Sequence, residues 1–227
     1  MRKRTMLILL SMAAMVVLVS GVALAKVIEG TDAGETLTGT NNPDLIKAFG
    51  GGDTLYGKDA ADVLRAGGGG DTANGENGND TYYGGSGDDV LSEYQGVTPE
   101  PTTGDGYTGK DVMFGGDGDD LMEAARSADE LHGGPNPSTT VSPEGPEALY
   151  GDTGNDKLYG EDGRDYLAGE QGSDLLSGGA GNDYIDAAFH ETAGTPDTVK
   201  CGSGVDQVIA DANDIVAANC EDVDPPE

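Results

Sequence analysis

The chain has 227 residues, of which 42 are Asp or Glu and only 12 are Lys or Arg, so its formal charge at pH 7 is −30. With 39 Gly, 3 Phe and no Trp, the composition excludes a conventional core, and self-repulsion predicts either disorder or neutralisation by bound cations. A basic surface for nucleic acid is excluded, because Lys and Arg form no cluster beyond the first four residues.

The first predicted element is a secretory signal peptide over residues 1–25. RKR at 2–4 supplies a basic start, the run over 6–19 is apolar, and ALA at 23–25 is an A-x-A cleavage site. The run is close to the length that spans a bilayer, so an uncleaved membrane anchor is the alternative. Ser20-Gly21 ahead of the A-x-A site favours cleavage, which predicts a secreted, extracellular chain without membrane contact.

A nine-residue phrase then repeats along the chain. GGSGDDVLS at 84–92 returns as GGDGDDLME at 115–123 and as GGAGNDYID at 178–186. Sliding this frame along residues 30–209 gives seventeen windows, in which the sixth position is Asp fifteen times and Glu twice. The eighth position is apolar or aromatic in every window. Self-similarity at a fixed period indicates a solenoid.

The repeat predicts the kind of solenoid. An apolar eighth residue between polar or small neighbours, as in TLY at 54–56, predicts a three-residue strand with its middle side chain inward. The glycine-rich remainder reverses the chain, with Gly where φ must be positive or backbones approach closely. Two strands and two turns make an 18-residue coil. The prediction is an all-β parallel β-roll, a β-helix-like solenoid, of about eight coils over residues 26–200.

Insertions and two cysteines complete the organisation. The insertions lie at residues 93–105, 133–141 and 187–191. Cys201 and Cys220 are the only cysteines, and an even pair in an exported protein predicts a disulfide. Residues 201–227 are interpreted as a disulfide-linked C-terminal cap over the open end of the solenoid.

The sixth-position Asp residues point to bound cations. Neighbouring strands lie about 4.8 Å apart, so equivalent carboxylates on successive coils repel one another unless a cation lies between them. A thin core does not compensate, because each inward Leu or Ile contributes ~1.5–3 kcal/mol while ordering costs ~1–2 kcal/mol for every residue. Carboxylate and carbonyl oxygens in a flexible site suit several Ca²⁺ ions better than Mg²⁺. Zinc is disfavoured, because His132 and His190 stand alone.

This pattern resembles the RTX, or hemolysin-type, calcium-binding nonapeptide repeat, G-G-x-G-x-D-x-U-x. The resemblance implies a parallel β-roll with Ca²⁺ held between adjacent turns. Position by position, it implies metal ligands at Asp53, Asp71 and Asp89 on one edge and at Asp62 and Asp80 on the other. Further implied ligands are Asp111, Asp120, Asp156, Asp165, Asp174 and Asp183. The implied backbone carbonyl ligands are those of Gly84, Ser86, Gly115, Asp117, Gly151, Thr153, Gly160, Asp162, Gly169, Gln171, Gly178 and Ala180.

The chain departs from this family in several respects. Many members attach the roll to a protease, lipase or toxin and leave the cell by a C-terminal signal, whereas neither feature is visible here. The end of the chain, VKCGSGVDQVIADANDIVAANCEDV, looks like the Cys-paired terminus of secreted repeat proteins from Gram-positive-type bacteria. The windows GTNNPDLIK, AARSADELH and TAGTPDTVK lack turn glycines, so the resemblance carries no ligand onto them.

Three functions are compatible with these features. The favoured one is an exported, non-enzymatic protein that folds when Ca²⁺ neutralises the Asp rows. The second is a calcium-stiffened surface or matrix protein, in which the insertions or the outward Tyr56, Tyr83, Tyr150 and Tyr159 bind a cell-wall or matrix glycan. The third, a polysaccharide-modifying enzyme on a β-helical scaffold, is disfavoured because the sequence places no nucleophile beside a base, and no catalytic residue is predicted.

Overall fold

The computed structural model describes residues 25–93, 109–135, 147–188 and 195–225. The predicted signal peptide, apart from Ala25, lies outside the described residues, as do parts of the three insertions, including His190. No helix occurs in the described ranges. A membrane-crossing helix is accordingly absent from that part of the chain.

The described residues form twenty-two strands. The first eleven are β1 (Lys26–Glu29), β2 (Thr36–Thr38), β3 (Asp44–Gly50), β4 (Thr54–Asp59), β5 (Val63–Gly68), β6 (Thr72–Asn77), β7 (Thr81–Ser86), β8 (Val90–Ser92), β9 (Val112–Asp117), β10 (Leu121–Glu123) and β11 (Glu130–Pro135). The others are β12 (Glu147–Tyr150), β13 (Thr153–Gly154), β14 (Lys157–Gly163), β15 (Asp165–Ala168), β16 (Gln171–Gly172), β17 (Leu175–Gly181), β18 (Tyr184–Asp186), β19 (Thr198–Ser203), β20 (Gln207–Ile209), β21 (Ile215–Val216) and β22 (Asp222–Asp224).

Two ten-stranded parallel sheets contain almost all of these strands. Their orders are β1-β3-β5-β7-β9-β11-β14-β17-β19-β21 and β2-β4-β6-β8-β10-β12-β15-β18-β20-β22, and β13 pairs separately with β16. In the regular coils each residue pairs with the one eighteen positions later, as Leu64 does with Tyr82. Successive strands thus alternate between the two sheets and wind the chain into a roll. The predicted all-β parallel β-roll is confirmed.

The core is a narrow stack of side chains between the two sheets. From Ile46 to Val208, every eighth-position side chain is at most 1 % exposed, as the inward stack predicts. First-position side chains also point inward, since Ala48, Ala66 and Cys201 are fully buried. Only Gly or another small residue fits beside the larger eighth-position side chains, which explains why the first position is small.

Many strands are longer than the predicted three residues. In the first sheet β3, β14 and β17 have seven residues, and β5, β7 and β9 have six. These strands continue into the first three or four positions of the next window, where pairing persists, as between Phe49 and Gly67. The sequence predicted one inward residue per window, at the eighth position. The first position of the next window also points inward, and the strand continues through it toward the turn.

In most windows the chain turns at the second position, the fourth position or both, where φ is positive. Gly67 and Gly69 have φ values of 118° and 130°, a region in which glycine meets no steric cost. Phe49 (81°) and Ala60 (84°) adopt positive φ with a Cβ, which costs ~1–2 kcal/mol per residue. The turn geometry is therefore imposed by the stacked coils even where the sequence supplies no glycine.

The C-terminal end carries the predicted disulfide. Cys201 and Cys220 are bonded, with Cα atoms 5.2 Å apart, and Cys220 packs against the buried core. Within the disulfide loop β21 pairs with β19, and after Cys220 β22 pairs with β20. Residues after the last window therefore extend both sheets and cover the last coil of the repeat.

Candidate metal centre

The sixth-position acidic residues lie where each turn enters a strand, and they fall into two rows. One row contains Asp44, Asp62, Asp80, Asp111, Asp129, Asp156, Asp174 and Asp197. The other contains Glu35, Asp53, Asp71, Asp89, Asp120, Glu147, Asp165, Asp183 and Asp206. Every Asp in both rows is at most 4 % exposed. Consecutive strands belong to opposite sheets, so the rows run along opposite edges of the roll.

One carboxylate oxygen of each Asp bonds the preceding coil. The backbone N–H of Asp62 donates to Oδ1 of Asp80 at 2.7 Å. The bond survives an insertion, because the N–H of Asp80 donates to Oδ1 of Asp111 at 2.5 Å. In the other direction, the carbonyl of Asp62 accepts the N–H of Thr81 at 3.0 Å. Each Asp therefore joins three successive coils while using only half of its carboxylate.

The second carboxylate oxygen, Oδ2, is buried and has no hydrogen-bond partner within the described ranges for ten of these residues. They are Asp53, Asp62, Asp71, Asp80, Asp89, Asp120, Asp129, Asp156, Asp183 and Asp206. Where the first position of the window is Gly, Oδ2 lies beside it, since a Cβ on Gly57 would lie 2.5 Å from Oδ2 of Asp62. Burying an ionised oxygen without a partner is costly, so each Oδ2 requires a cation or a proton.

Burial raises the pKa of these carboxyl groups. Removal from water raises the pKa of Asp62 and Asp80 to about 7 and that of Asp156 to about 8, while backbone N–H donors oppose the shift and neighbouring Asp residues add to it. The pKa is likewise raised to about 7 for Asp89, Asp111 and Asp183, and to about 6 for Asp120 and Asp129. Near neutral pH the rows therefore resist ionising without a bound cation.

The carbonyls that the resemblance singles out lie in the same turns. A Cβ on Gly84 would meet both Oδ2 of Asp89, at 2.6 Å, and the carbonyl oxygen of Gly115 on the next coil. The third-position carbonyls of Ser86 and Asp117 each accept a fourth-position N–H of the preceding coil at 2.7 Å, and each oxygen keeps a second lone pair. First-position contacts recur in the turns that begin at Gly151, Gly160 and Gly178. The donor set is all oxygen and fits a hard cation such as Ca²⁺.

The structure adds row members for which the sequence argument named no ligand role. Asp44, Asp129 and Asp197 come from the three windows without turn glycines, and Asp206 comes from the last window. They are nevertheless buried and bonded as in the regular windows, as shown by the 2.6 Å bond from the N–H of Asp44 to Asp62. In one of these turns, Ser127 takes a φ of 118° itself. In these windows the sixth-position Asp is enough to predict a place in the row, even without turn glycines.

Sequence reasoning missed a second group, inside the roll. Glu93 is 1 % exposed and Tyr82 is fully buried. The Tyr82 hydroxyl donates to Oε1 of Glu93 and accepts the N–H of Gly75 at 2.8 Å. Carboxylate oxygens of Asp80, Glu93 and Asp111 all lie within 4.8 Å of one another. The available signal was a Glu in the first position after a complete window and a Tyr in a core position.

Comparison with known families identifies the nine-residue repeat. A four-copy profile of the RTX calcium-binding nonapeptide repeat matches residues 29–64, 56–91, 105–136, 144–176 and 162–188. These segments cover more than half of the chain and most of both Asp rows. A search of curated proteins finds no match.

Proposed function

This chain belongs to the RTX calcium-binding nonapeptide repeat family, and from that premise we propose an exported protein without enzymatic activity whose roll folds when Ca²⁺ binds along the two Asp rows. The repeat family itself is a calcium-binding, non-enzymatic one. The proposal adds export and the coupling of folding to the ion.

The observation that carries the proposal is the stacking of buried Oδ2 atoms on successive coils. The charged groups that shift the pKa of Asp62, Asp80 and Asp156 are themselves carboxylates. Folding therefore brings like charges together in a medium that screens them poorly. Without a cation, this repulsion opposes folding. A divalent cation between the carboxylates turns the repulsion into attraction, so ion binding and folding become one coupled reaction.

We propose that the Asp residues implied by the resemblance bind Ca²⁺ through Oδ2, together with first- and third-position carbonyls of their turns. The bound ion supplies positive charge between coils. The chain supplies the rest: backbone N–H donors hold Oδ1 and so orient the carboxylate, and first-position glycines leave room for Oδ2. The core stack excludes water from the inner side of each row.

Export fits the same chemistry. RTX repeat proteins are typically secreted, and the Cys201–Cys220 disulfide suits an oxidising compartment. We propose that residues 1–25 direct export and are removed. Low cytosolic Ca²⁺ then keeps the repeats extended during export, and the roughly millimolar Ca²⁺ that saturates extracellular modules folds them outside.

A second candidate, a calcium-stiffened surface spacer, is supported by an aromatic row on the first sheet. Tyr83, Phe114, His132 and Tyr159 stack with centroids 4.8–5.3 Å apart, and the Arg65 guanidinium lies 5.1 Å from the Tyr83 ring. The ring faces cover one another, whereas a sugar would need an open face. The row therefore favours lengthwise stiffness over glycan binding.

The test is a Ca²⁺ titration of the metal-stripped protein followed by far-UV circular dichroism. We expect little strand signal in chelator, cooperative gain of strand on adding Ca²⁺, and a much weaker response to Mg²⁺. Calorimetric titration of the same sample gives the number of ions. A strand spectrum that persists at alkaline pH after exhaustive EDTA dialysis, with no metal found by elemental analysis, overturns the proposal.

A further inference from the structure

Glu93 occupies a repeat position that is otherwise small. It directly follows the window 84–92, and the first position of each of the seventeen windows is Gly, Ala, Ser, Thr or Cys. Its N–H donates to the carbonyl of Glu123 at 3.2 Å, as the N–H of first-position Ala124 does to Tyr150 at 3.0 Å. The backbone of Glu93 therefore follows the repeat, and its side chain enters the space that other coils reserve for a small residue.

The carboxylate of Glu93 is held in place inside the roll. The Tyr82 hydroxyl donates to Oε1, and that hydroxyl is itself fixed by the N–H of Gly75 at 2.8 Å. No donor within the described ranges bonds Oε2, although the residue is only 1 % exposed. The Asp111 carboxyl group lies within hydrogen-bonding reach of Glu93. Two buried carboxyl groups in such contact require either a shared proton or a cation.

Two row carboxylates share this space. Oxygens of Asp80 and Asp111 lie within 4.8 Å of a Glu93 oxygen and of each other, and Oδ2 of Asp80 also has no hydrogen-bond partner in the described residues. Because Oδ1 of Asp111 already accepts the N–H of Asp80, the two Asp residues are locked in register. The three groups converge from two adjacent coils and from the interior.

We propose that Asp80, Glu93 and Asp111 bind one divalent, oxygen-preferring cation of the Ca²⁺ class, at a three-carboxylate site that the nonapeptide pattern does not contain. The inference rests on the proposed function, since it assumes that the Asp rows bind such ions. It differs in assigning a ligand from outside the repeat motif. The third carboxylate makes this site bind more tightly than its two-carboxylate neighbours, because added negative charge strengthens the attraction.

The position of this site gives it a role. Asp80 and Asp111 are neighbours in the row although they are 31 residues apart, whereas regular neighbours are 18 apart. The longer separation comes from the first insertion, and Glu93 stands at its start. A cation held by all three residues ties together the two sides of the insertion, where loop closure makes coil pairing most costly.

The experiment compares Glu93→Gln with Glu76→Gln in the full chain. Gln keeps the size and the acceptor for Tyr82 but removes the charge, while Glu76 lies on the turn in a second position and controls for the loss of one carboxylate. Glu93→Gly restores a residue common at first positions and guards against misfolding of the Gln variant. Ca²⁺ binding by equilibrium dialysis counts ions, and tyrosine-sensitised Tb³⁺ emission reports ions close to Tyr82.

We expect both Glu93 variants to lose one Ca²⁺ per chain, or to bind it at least tenfold more weakly, together with the tight phase of Tb³⁺ emission. Glu76→Gln should match the unsubstituted protein. If the Glu93 variants keep the ion count and affinities within tenfold, the inference is wrong even when Ca²⁺ still folds the roll. If Ca²⁺ fails to fold the unsubstituted protein, the proposed function is wrong first, so the two failures are separable.

Discussion

The repeat coils and the C-terminal end hold neighbouring strands together by different means. In the coils, buried Asp residues such as Asp62 and Asp80 bond one coil to the next and bring their charges together in doing so. At the end, Cys201 enters the core as an uncharged side chain and is tied covalently to Cys220. Under the proposed function, cohesion between coils depends on cations and pH, whereas the covalent link at the end depends on neither.

This difference shows which part of the fold depends on solution conditions. Under the proposed function, the coils need a cation from solution, which makes their folding responsive to the concentration of that cation. The disulfide lowers the conformational entropy of the unfolded chain, and it does so without any bound cation. It therefore favours folding at one end, from which stacking of coils can propagate along the solenoid.

Removing Ca²⁺ is expected to produce the largest effect and to test the contrast directly. With EDTA at alkaline pH, backbone amides of residues 44–93 and 147–186 should lose their protection, because the Asp rows are then ionised and repel one another. Reducing the disulfide while Ca²⁺ is saturating should leave those amides protected. Hydrogen exchange followed by mass spectrometry resolves both regions, and protection of the coils in EDTA would contradict the contrast.

Acid should partly replace the ion. Burial raises the pKa of Asp62, Asp80 and Asp89 from 3.8 to about 7, so the folded, metal-free chain binds more protons than the unfolded chain. The stability from these groups is fully present below pH ~4 and is lost as the pH rises through about 7. Metal-stripped protein should gain strand signal by circular dichroism between pH 8 and pH 4.5, whereas its Ca²⁺ midpoint should rise as protons compete. An unchanged spectrum across this range would count against buried, cation-demanding carboxylates.

Replacing both cysteines tests the other region. In Cys201→Ala with Cys220→Ala, the first-position Ala has precedents in Ala48 and Ala66, so packing is kept and the cross-link is lost. The sequence separation of 19 predicts a loss of about 3 kcal/mol in the free energy of unfolding. Urea unfolding in saturating Ca²⁺ measures this loss. The number of bound ions should stay the same, and a lower number would show that the two regions are not independent.

The smallest expected effect comes from one adjacent pair of residues. Asp89 is buried and Asp88 is exposed, yet each side chain accepts one backbone N–H from a neighbouring coil. Oδ1 of Asp89 accepts the N–H of Asp71 at 2.8 Å, and Oδ1 of Asp88 accepts the N–H of Asp119 at 3.2 Å. Asp89→Asn should cost ~1–3 kcal/mol of stability in Ca²⁺, while Asp88→Asn should cost much less. Equal effects of the two substitutions, measured by chemical denaturation, would argue against a special role for the sixth position.

Periodicity was enough to predict the roll and the placement of its row residues. A fixed nine-residue spacing assigns Leu55 inward and separates Asp53 from Asp62, because stacking repeats the same environment every eighteen residues. The spacing did not predict that strands run on into the first three positions, since the inward first residue is small and carries no hydrophobic signal. Ala48 and Ala66 look like turn residues until the pairing is seen.

The three-carboxylate cluster is a different case. Glu93 falls just outside the last regular window before an insertion, where the repeat frame was no longer applied. Tyr82 passes for an ordinary core residue, because its polar end is invisible to a hydrophobic pattern. Only the fold shows that the hydroxyl and the carboxylate meet beside Asp80 and Asp111. A large or charged residue at a repeat position that is otherwise small is therefore worth inspecting, even where it follows the last regular window.

The two-row arrangement also governs how such a gene can change length. Neighbours in the row from Asp44 to Asp197 are 18, 23, 27 or 31 residues apart, yet the same bond from N–H to Oδ1 joins them at each of these spacings. Duplicating one coil's coding sequence would add a link to each row and leave every older link intact, whereas duplicating half a coil would send all later strands to the opposite sheet. Tandem copying in whole coils is therefore the mutational route that this architecture tolerates, and extra sequence accumulates in the turns.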